Sequence, residues 1–264
     1  MVTILGLHFR ETTNIGDRSC HPLDYFDFSK NGANTVVRED INLKRTSSNA
    51  PHFVIVGGGA IGGLSSLQKR FPKSSFIGWG IGSTSRSLAP VDDHYHKRVS
   101  KGFTLWGGRD WSAVDTYVPC VSCMSPIFDE TFEPKYDVVV YGHASRKSLE
   151  YEAKLLRLPY LDNCSSETLY DALSFLASGR IIVTSSYHGA YWGMLLGRRV
   201  AVIPFGSKFY NFKHMPVMSE NISSGMHVAR KFDNFKDILS ETREINRLFA
   251  QSVETIIDKR VLVS

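Results

Sequence analysis

The segment FVIVGGGAIGG, Phe53 to Gly63, constrains the fold more than any other part of the chain. Phe53 to Val56 carry no polar alternation and read as a strand buried on both faces. The glycines that follow let the backbone bend tightly and let another group approach closely. Leu64 to Phe71 then has helical composition and ends before Pro72, and Ser75 to Trp79 returns to strand composition. Strand, glycine turn, helix and strand make a βαβ unit, and such units build parallel sheets.

The same alternation recurs along the chain. Val2 to Leu7 reads as a first strand, ended by HFRETTNIGD, where Asn14, Gly16 and Asp17 can turn the chain and cap the next element. Weaker strands are expected near Gly102 to Leu105 and Thr116 to Val121. Pro126 to Lys135, polar and acidic with two prolines, reads as the link between halves. Beyond it come a strand (Tyr136 to His143), an amphipathic helix (Thr168 to Ala177, introduced by Ser165 and Ser166) and a buried strand (Arg180 to Ser186). A helix (Gly189 to Leu196), the strand RRVAVIPF and one or two closing helices within Asn234 to Ile257 complete the pattern. This is an α/β chain, either as two small doubly wound domains or as one large one.

Composition removes several function classes. A chain of 264 residues, 42% hydrophobic and 22% charged, can build real cores, which excludes disorder. No apolar run approaches the ~18 residues of a membrane span. The opening MVTILGLHFRE lacks the basic region of a secretory signal, so a cytoplasmic protein is expected. The net charge of +5 is spread rather than blocked, which argues against nucleic acid and leaves an anionic membrane surface as a partner for the basic balance. The cysteines Cys20, Cys120, Cys123 and Cys164 do not make a disulfide framework. VPCVSC holds a C-x-x-C, but a structural zinc site needs a second ligand pair, so buried thiols and no metal are expected.

Gly57, Gly59 and Gly62 have the G-x-G-x-x-G spacing of a dinucleotide turn. A nicotinamide site also needs a carboxylate about 20 residues on, at the end of the next strand. Here that strand ends in Trp79, Gly80 and Gly82 with no Asp or Glu, so no nicotinamide cofactor is expected.

Several segments in order point to one family: Asn14-Ile15-Gly16-Asp17 after the first strand, Gly57-Gly58-Gly59 after a buried strand, Trp79-Gly80-Ile81-Gly82 after the next, then Arg109-Asp110-Trp111-Ser112, Ser185-Ser186-Tyr187-His188-Gly189-Ala190 and Ser207-Lys208. From about residue 14 to 214 the chain resembles the polysaccharide pyruvyl transferase family, including its exopolysaccharide-biosynthesis branch. The resemblance implies a GT-B-type fold: two Rossmann-like parallel-sheet domains facing a cleft, residues 1–130 on the acceptor side and residues 131–264, with the closing helices, on the donor side. It implies transfer of the enolpyruvyl skeleton of phosphoenolpyruvate onto a sugar, closing a ketal across two hydroxyls and releasing phosphate, with no cofactor and no metal. The acceptor would be a saccharide, lipid-linked where the enzyme works at the inner face of a membrane. One departure stands out: where many members read S-R-L-H-G, this chain has Ser186 at the Arg position.

Such chemistry needs cations for a carboxylate and a phosphate, an acid for the methylene carbon and a base for the sugar hydroxyls. His188, after a buried strand and before Gly189 and a helix, suits an acid or a phosphate ligand. Ser185 and Ser186 precede the same helix and can offer hydroxyls and amides to a phosphate, or simply cap it. Lys208 follows the strand VAVIPF and can replace the absent Arg, while Lys213 and His214 share its loop. Arg109 follows two glycines and has the fork geometry for an anion, unless Asp110 takes it as an ion pair. Asn14 and Asp17 lie on the acceptor side with Gly58 and Gly59, Asp17 as the base. His143 ends a strand at the cleft edge. Two other readings remain open: a GT-B glycosyltransferase using a nucleotide sugar, and an inactive saccharide-binding scaffold of the same pathway.

Overall fold

Near-continuous apolar runs form strands where both faces are covered, and the computed structural model, which describes residues 2–31, 33–42 and 50–263, has two sheets of this kind. The first half contains β1 (Val2–His8), α1 (Ile15–Arg18), β2 (Ala33–Asp40), β3 (Phe53–Val56), β4 (Gly59–Ala60), α2 (Leu64–Arg70), β5 (Ser75–Gly82), α3 (His94–Ser100) and β6 (Leu105–Gly108). The second contains β7 (Tyr136–Gly142), α4 (Lys147–Leu155), β8 (Tyr160–Asp162), α5 (Leu169–Ala177), β9 (Gly179–Thr184), α6 (Tyr187–Leu195), β10 (Arg199–Val202), β11 (Val217–Met218), α7 (Ile222–Ala229) and α8 (Ile238–Val263).

The first sheet runs β2-β1-β3-β5, with both β4 and β6 paired to β5, and the second runs β11-β10-β9-β7-β8. All the strand pairings are parallel. With short β4 set aside, each sheet places its second strand outside its first and sends later strands the other way. The direction of winding therefore reverses between β1 and β3 and again between β7 and β9. Open α/β sheets bind ligands beyond the C-terminal strand ends at such reversals. The molecule thus has the two Rossmann-like halves and the cleft that the sequence led us to expect.

Three expectations need correction. Thr116 to Val121 is not a strand: a single bridge joins Tyr117 to Gly108, and Val121–Met124 is a 3₁₀ turn. Pro119, which has no N–H for a ladder, accounts for the break. The helix expected from Thr168 begins at Leu169 and is capped by a Thr168–Asp171 capping box, not by Ser165 or Ser166. The long closing helix α8 begins in the second half's core, where Ile238 is buried, but most of its apolar face packs on the first half. Phe249, Ala250, Val253 and Ile257 pack with Val2, Ile4, Ile55 and Trp79 of the first sheet, and the Trp79 indole N–H donates to Asn246 Oδ1 at 2.7 Å.

Traffic in the other direction is as important. Ile15 and Cys20, from the first half, are buried in the same cluster as Tyr141, Ala190 and Trp192 of the second. The Ile15 amide donates to the Asn163 carbonyl at 2.9 Å. This contact lies beside the place where the two reversals meet.

Candidate functional site

A cavity of about 110 Å³ is lined by Phe9, Asn14, Asp17 and Ala60 from the first reversal, by His143, Asn163, Ser186, Tyr187 and His188 from the second, and by Arg109 and Lys208. Arg109 follows β6 and Lys208 lies in the loop after β10, so both halves contribute a cation. Larger hollows exist elsewhere, including one of about 330 Å³ beside α3 that contains His96, but the buried His96 Nε2 is already paired with Asp110 at 2.8 Å.

Arg109 is 3% exposed, and its Nε and Nη1 have no hydrogen-bond partner among the described residues. Asp110 does not pair with it: Asp110 Oδ2 accepts from the Ser83 amide at 2.6 Å and faces His96. The guanidinium carbon lies 3.8 Å from the centroid of the Tyr187 ring, which holds the fork in plane. A buried guanidinium with unused donors is costly unless an anion meets it. Lys208 is similar. Its ammonium sits over Phe205 and Phe209 at 4.8 and 5.2 Å and makes no ion pair among the described residues. Burial and the Arg109 charge push its pKa down to about 8, against a pull from Asp17. Lys213 and His214, from the same loop, turn instead to Glu241 of α8.

Asp17 is held in place by its neighbours. Asn14 accepts from the Gly16 amide at 3.1 Å, capping α1, and donates through Nδ2 to Asp17 Oδ2 at 2.8 Å. His143 forms a 2.8 Å contact with Ser145 Oγ and rests against Phe205, and burial with the Lys208 charge lowers its pKa.

His188 lines the cavity with its ring edge-on to Tyr187 and tilted against Trp192. Its Nε2 contacts two thiols, Cys20 Sγ at 3.3 Å and Cys120 Sγ at 3.6 Å. A Cβ on Gly16 would run into Nδ1, so that glycine is required by the close approach of the ring. With Nε2 turned to the two thiols and the ring packed against Gly16, His188 forms part of the cavity wall.

Ser186 reaches the cavity but also caps α6, accepting from the Gly189 amide at 3.3 Å. Ser185 does not line it; its hydroxyl accepts from the His143 amide at 3.0 Å and so fixes the end of β7. Gly189 packs α6 against Thr184 and Tyr141. Gly58 and Gly59 lie behind the cavity rather than in its lining, with Asp17 Oδ1 near Gly59. The first two amides of the glycine turn are already used: Gly57 N–H donates to the Leu7 carbonyl and Gly58 N–H to the Cys20 carbonyl. A Cβ at Gly57 would come within 2.8 Å of that Cys20 carbonyl, so the turn exists to admit the backbone at Cys20 and His21. Helix α2 starts only at Leu64, too far on to serve as a dinucleotide-binding helix.

Asn163, Tyr187, Phe9, Cys20 and Cys120 join this region with little in the sequence to mark them. Asn163 follows the short strand β8, which has no clear pattern. Tyr187 adjoins His188, and that adjacency was its one available signal.

No helix among the described residues is long and apolar enough to cross a membrane. No family model matches the chain, and no curated protein matches it. Among solved structures the chain is similar to the wall teichoic acid polymerase TagF, with a TM-score of 0.47 and 11% identity over 98% of this chain and 88% of that one.

Proposed function

We propose that this protein is a transferase that moves the enolpyruvyl skeleton of phosphoenolpyruvate onto a saccharide as a pyruvate ketal. One observation carries the reading: two cations from opposite halves, the buried Arg109 and the half-buried Lys208, lack carboxylate partners among the described residues and share a small polar cavity with Asp17. A donor bearing a carboxylate and a phosphate meets both of them. They supply the charge that Ser186 cannot.

In this reading a sugar hydroxyl gives its proton to Asp17 and adds to the donor's central carbon, while the methylene carbon takes up a proton to become a methyl group. Lys208, protonated at neutral pH with a pKa of about 8, attracts the anion and holds a proton near the donor. Phosphate then leaves with the electrons of its C–O bond, and the second hydroxyl adds in its place, losing its own proton. The sum is two new C–O bonds and one new C–H bond against one C–O bond, the C=C π bond and two O–H bonds broken; one hydroxyl proton ends on the methyl group and the other leaves with phosphate. With a net charge of +5, the chain would be drawn to an anionic cytoplasmic membrane face presenting lipid-linked acceptors.

The test is calorimetric titration of the protein with phosphoenolpyruvate, with nucleotide sugars and NADH run alongside. Saturable phosphoenolpyruvate binding is expected, weakened about tenfold or more in Arg109→Gln, since a hydrogen bond to a charged group contributes about 1.5–3 kcal/mol. Binding of a nucleotide sugar with silence for phosphoenolpyruvate would move the assignment to glycosyl transfer.

A further inference from the structure

Behind the cavity wall, Cys20 Sγ and Cys120 Sγ lie 3.4 Å apart, and His188 Nε2 lies 3.3 Å from the first and 3.6 Å from the second. The three donor atoms thus form a nearly equilateral triangle. The geometry points to a zinc site with Cys20, Cys120 and His188 as its protein ligands.

Zinc binds thiolate sulfur at about 2.3 Å and imidazole nitrogen at about 2.0–2.1 Å in tetrahedral array. Those lengths set ligand edges of about 3.8 Å between sulfurs and about 3.6 Å between sulfur and nitrogen. The observed triangle therefore needs to open by no more than about 0.4 Å to become one face of the tetrahedron. Two thiolates and a neutral imidazole balance the charge of Zn²⁺, which matters because both cysteines are fully buried. Soft sulfur and imidazole donors suit zinc rather than magnesium or calcium. Cys123 takes no part: its sulfur contacts Asn246 Nδ2 at 3.3 Å, and burial raises its pKa to about 12. The C-x-x-C thus contributes a single ligand.

The ligands come from three distant segments: the end of α1, the connection after β6 and the start of α6. A metal here would join the two halves directly beneath the cavity. Three protein ligands leave a fourth position, as in zinc sites that act on a bound water or substrate. The inference does not depend on which donor the cavity binds.

The experiment is elemental analysis of full-length protein purified without a metal-affinity tag under reducing conditions, followed by cobalt substitution. Near-stoichiometric zinc is expected, along with a thiolate-to-cobalt charge-transfer band and the visible bands of tetrahedral cobalt. Cys20→Ser and Cys120→Ser should each lose most of the metal, and Cys123→Ser and Cys164→Ser should keep it. Folded wild-type protein that neither contains zinc nor takes up zinc or cobalt overturns the site, as does metal retained in Cys20→Ser or Cys120→Ser, or copper or iron in zinc's place. Because the wild-type measurement decides the matter, a variant that fails to fold does not rescue the inference. Phosphoenolpyruvate titration of zinc-containing and chelator-treated protein separates failure of this site from failure of the donor assignment.

Discussion

Lys208 shows how far a residue's chemistry is set by the groups around it. In the string GSKFYNFKH nothing separates it from Lys213, yet one lysine ends in an ion pair with Glu241 and the other in a cavity beside Arg109. Burial and Arg109 lower the Lys208 pKa to about 8, so its charge is fully present below that pH and is lost as pH rises through it. Phosphoenolpyruvate affinity should therefore hold on the acid side of pH 8 and fall on the alkaline side; a bound anion moves the midpoint upward. Lys208→Met should bind about tenfold or more weakly at neutral pH and lose that alkaline fall, as measured by calorimetry across the range. An identical pH profile in the variant would place the alkaline titration on a group other than Lys208. Much of the site was legible at this scale, because Asn14, Asp17, His143, Ser186, His188, Arg109 and Lys208 all sit where turn residues or polar residues follow apolar strands. What the sequence hid was pairing at a distance: that Asp110 turns to His96 and leaves Arg109 free, and that Cys120 meets Cys20 and His188 rather than Cys123.

At the scale of elements, the central strands were readable and the edges were not. β1, β3, β5, β7 and β9 are apolar runs flanked by turns, whereas β2, β8 and β11 lie at or beside sheet edges, where a strand is short or half polar. Periodicity also identified the closing helix without saying where it docks, since an apolar stripe fits either half equally well. Asn246 decides the docking: its side chain accepts from the Trp79 indole and donates to the Thr242 and Pro119 carbonyls and toward Cys123. Asn246→Ala would leave the fully buried Trp79 N–H without a partner, at a cost of about 1–3 kcal/mol. Urea unfolding should show that loss as a lower midpoint at unchanged slope. A midpoint within error of wild type would mean that apolar packing of Phe249, Val253 and Ile257 alone seats the helix.

For the whole molecule, the exchange of elements between halves has a thermodynamic consequence. Chains of this length with two sheets often unfold domain by domain. Here α8 comes from the C-terminal end yet completes the first core, while Ile15 and Cys20 come from the N-terminal segment yet are buried in the second. Neither core can lose its borrowed part and remain dry. The two halves should therefore unfold in one transition, and local probes can test this, because Trp79 lies in the first core and Trp192 in the second. In variants whose only tryptophan is Trp79 or Trp192, each variant's fluorescence midpoint in urea should coincide with its own far-ultraviolet circular dichroism midpoint. Ile15→Ala is the sharper perturbation. It removes about 2–5 kcal/mol of packing from the second core through a residue that belongs to the first half. In a coupled molecule both tryptophan midpoints fall together. If the Trp192 midpoint falls and the Trp79 midpoint stays, the halves are energetically separate, and the contacts between them position the cavity without holding the molecule together.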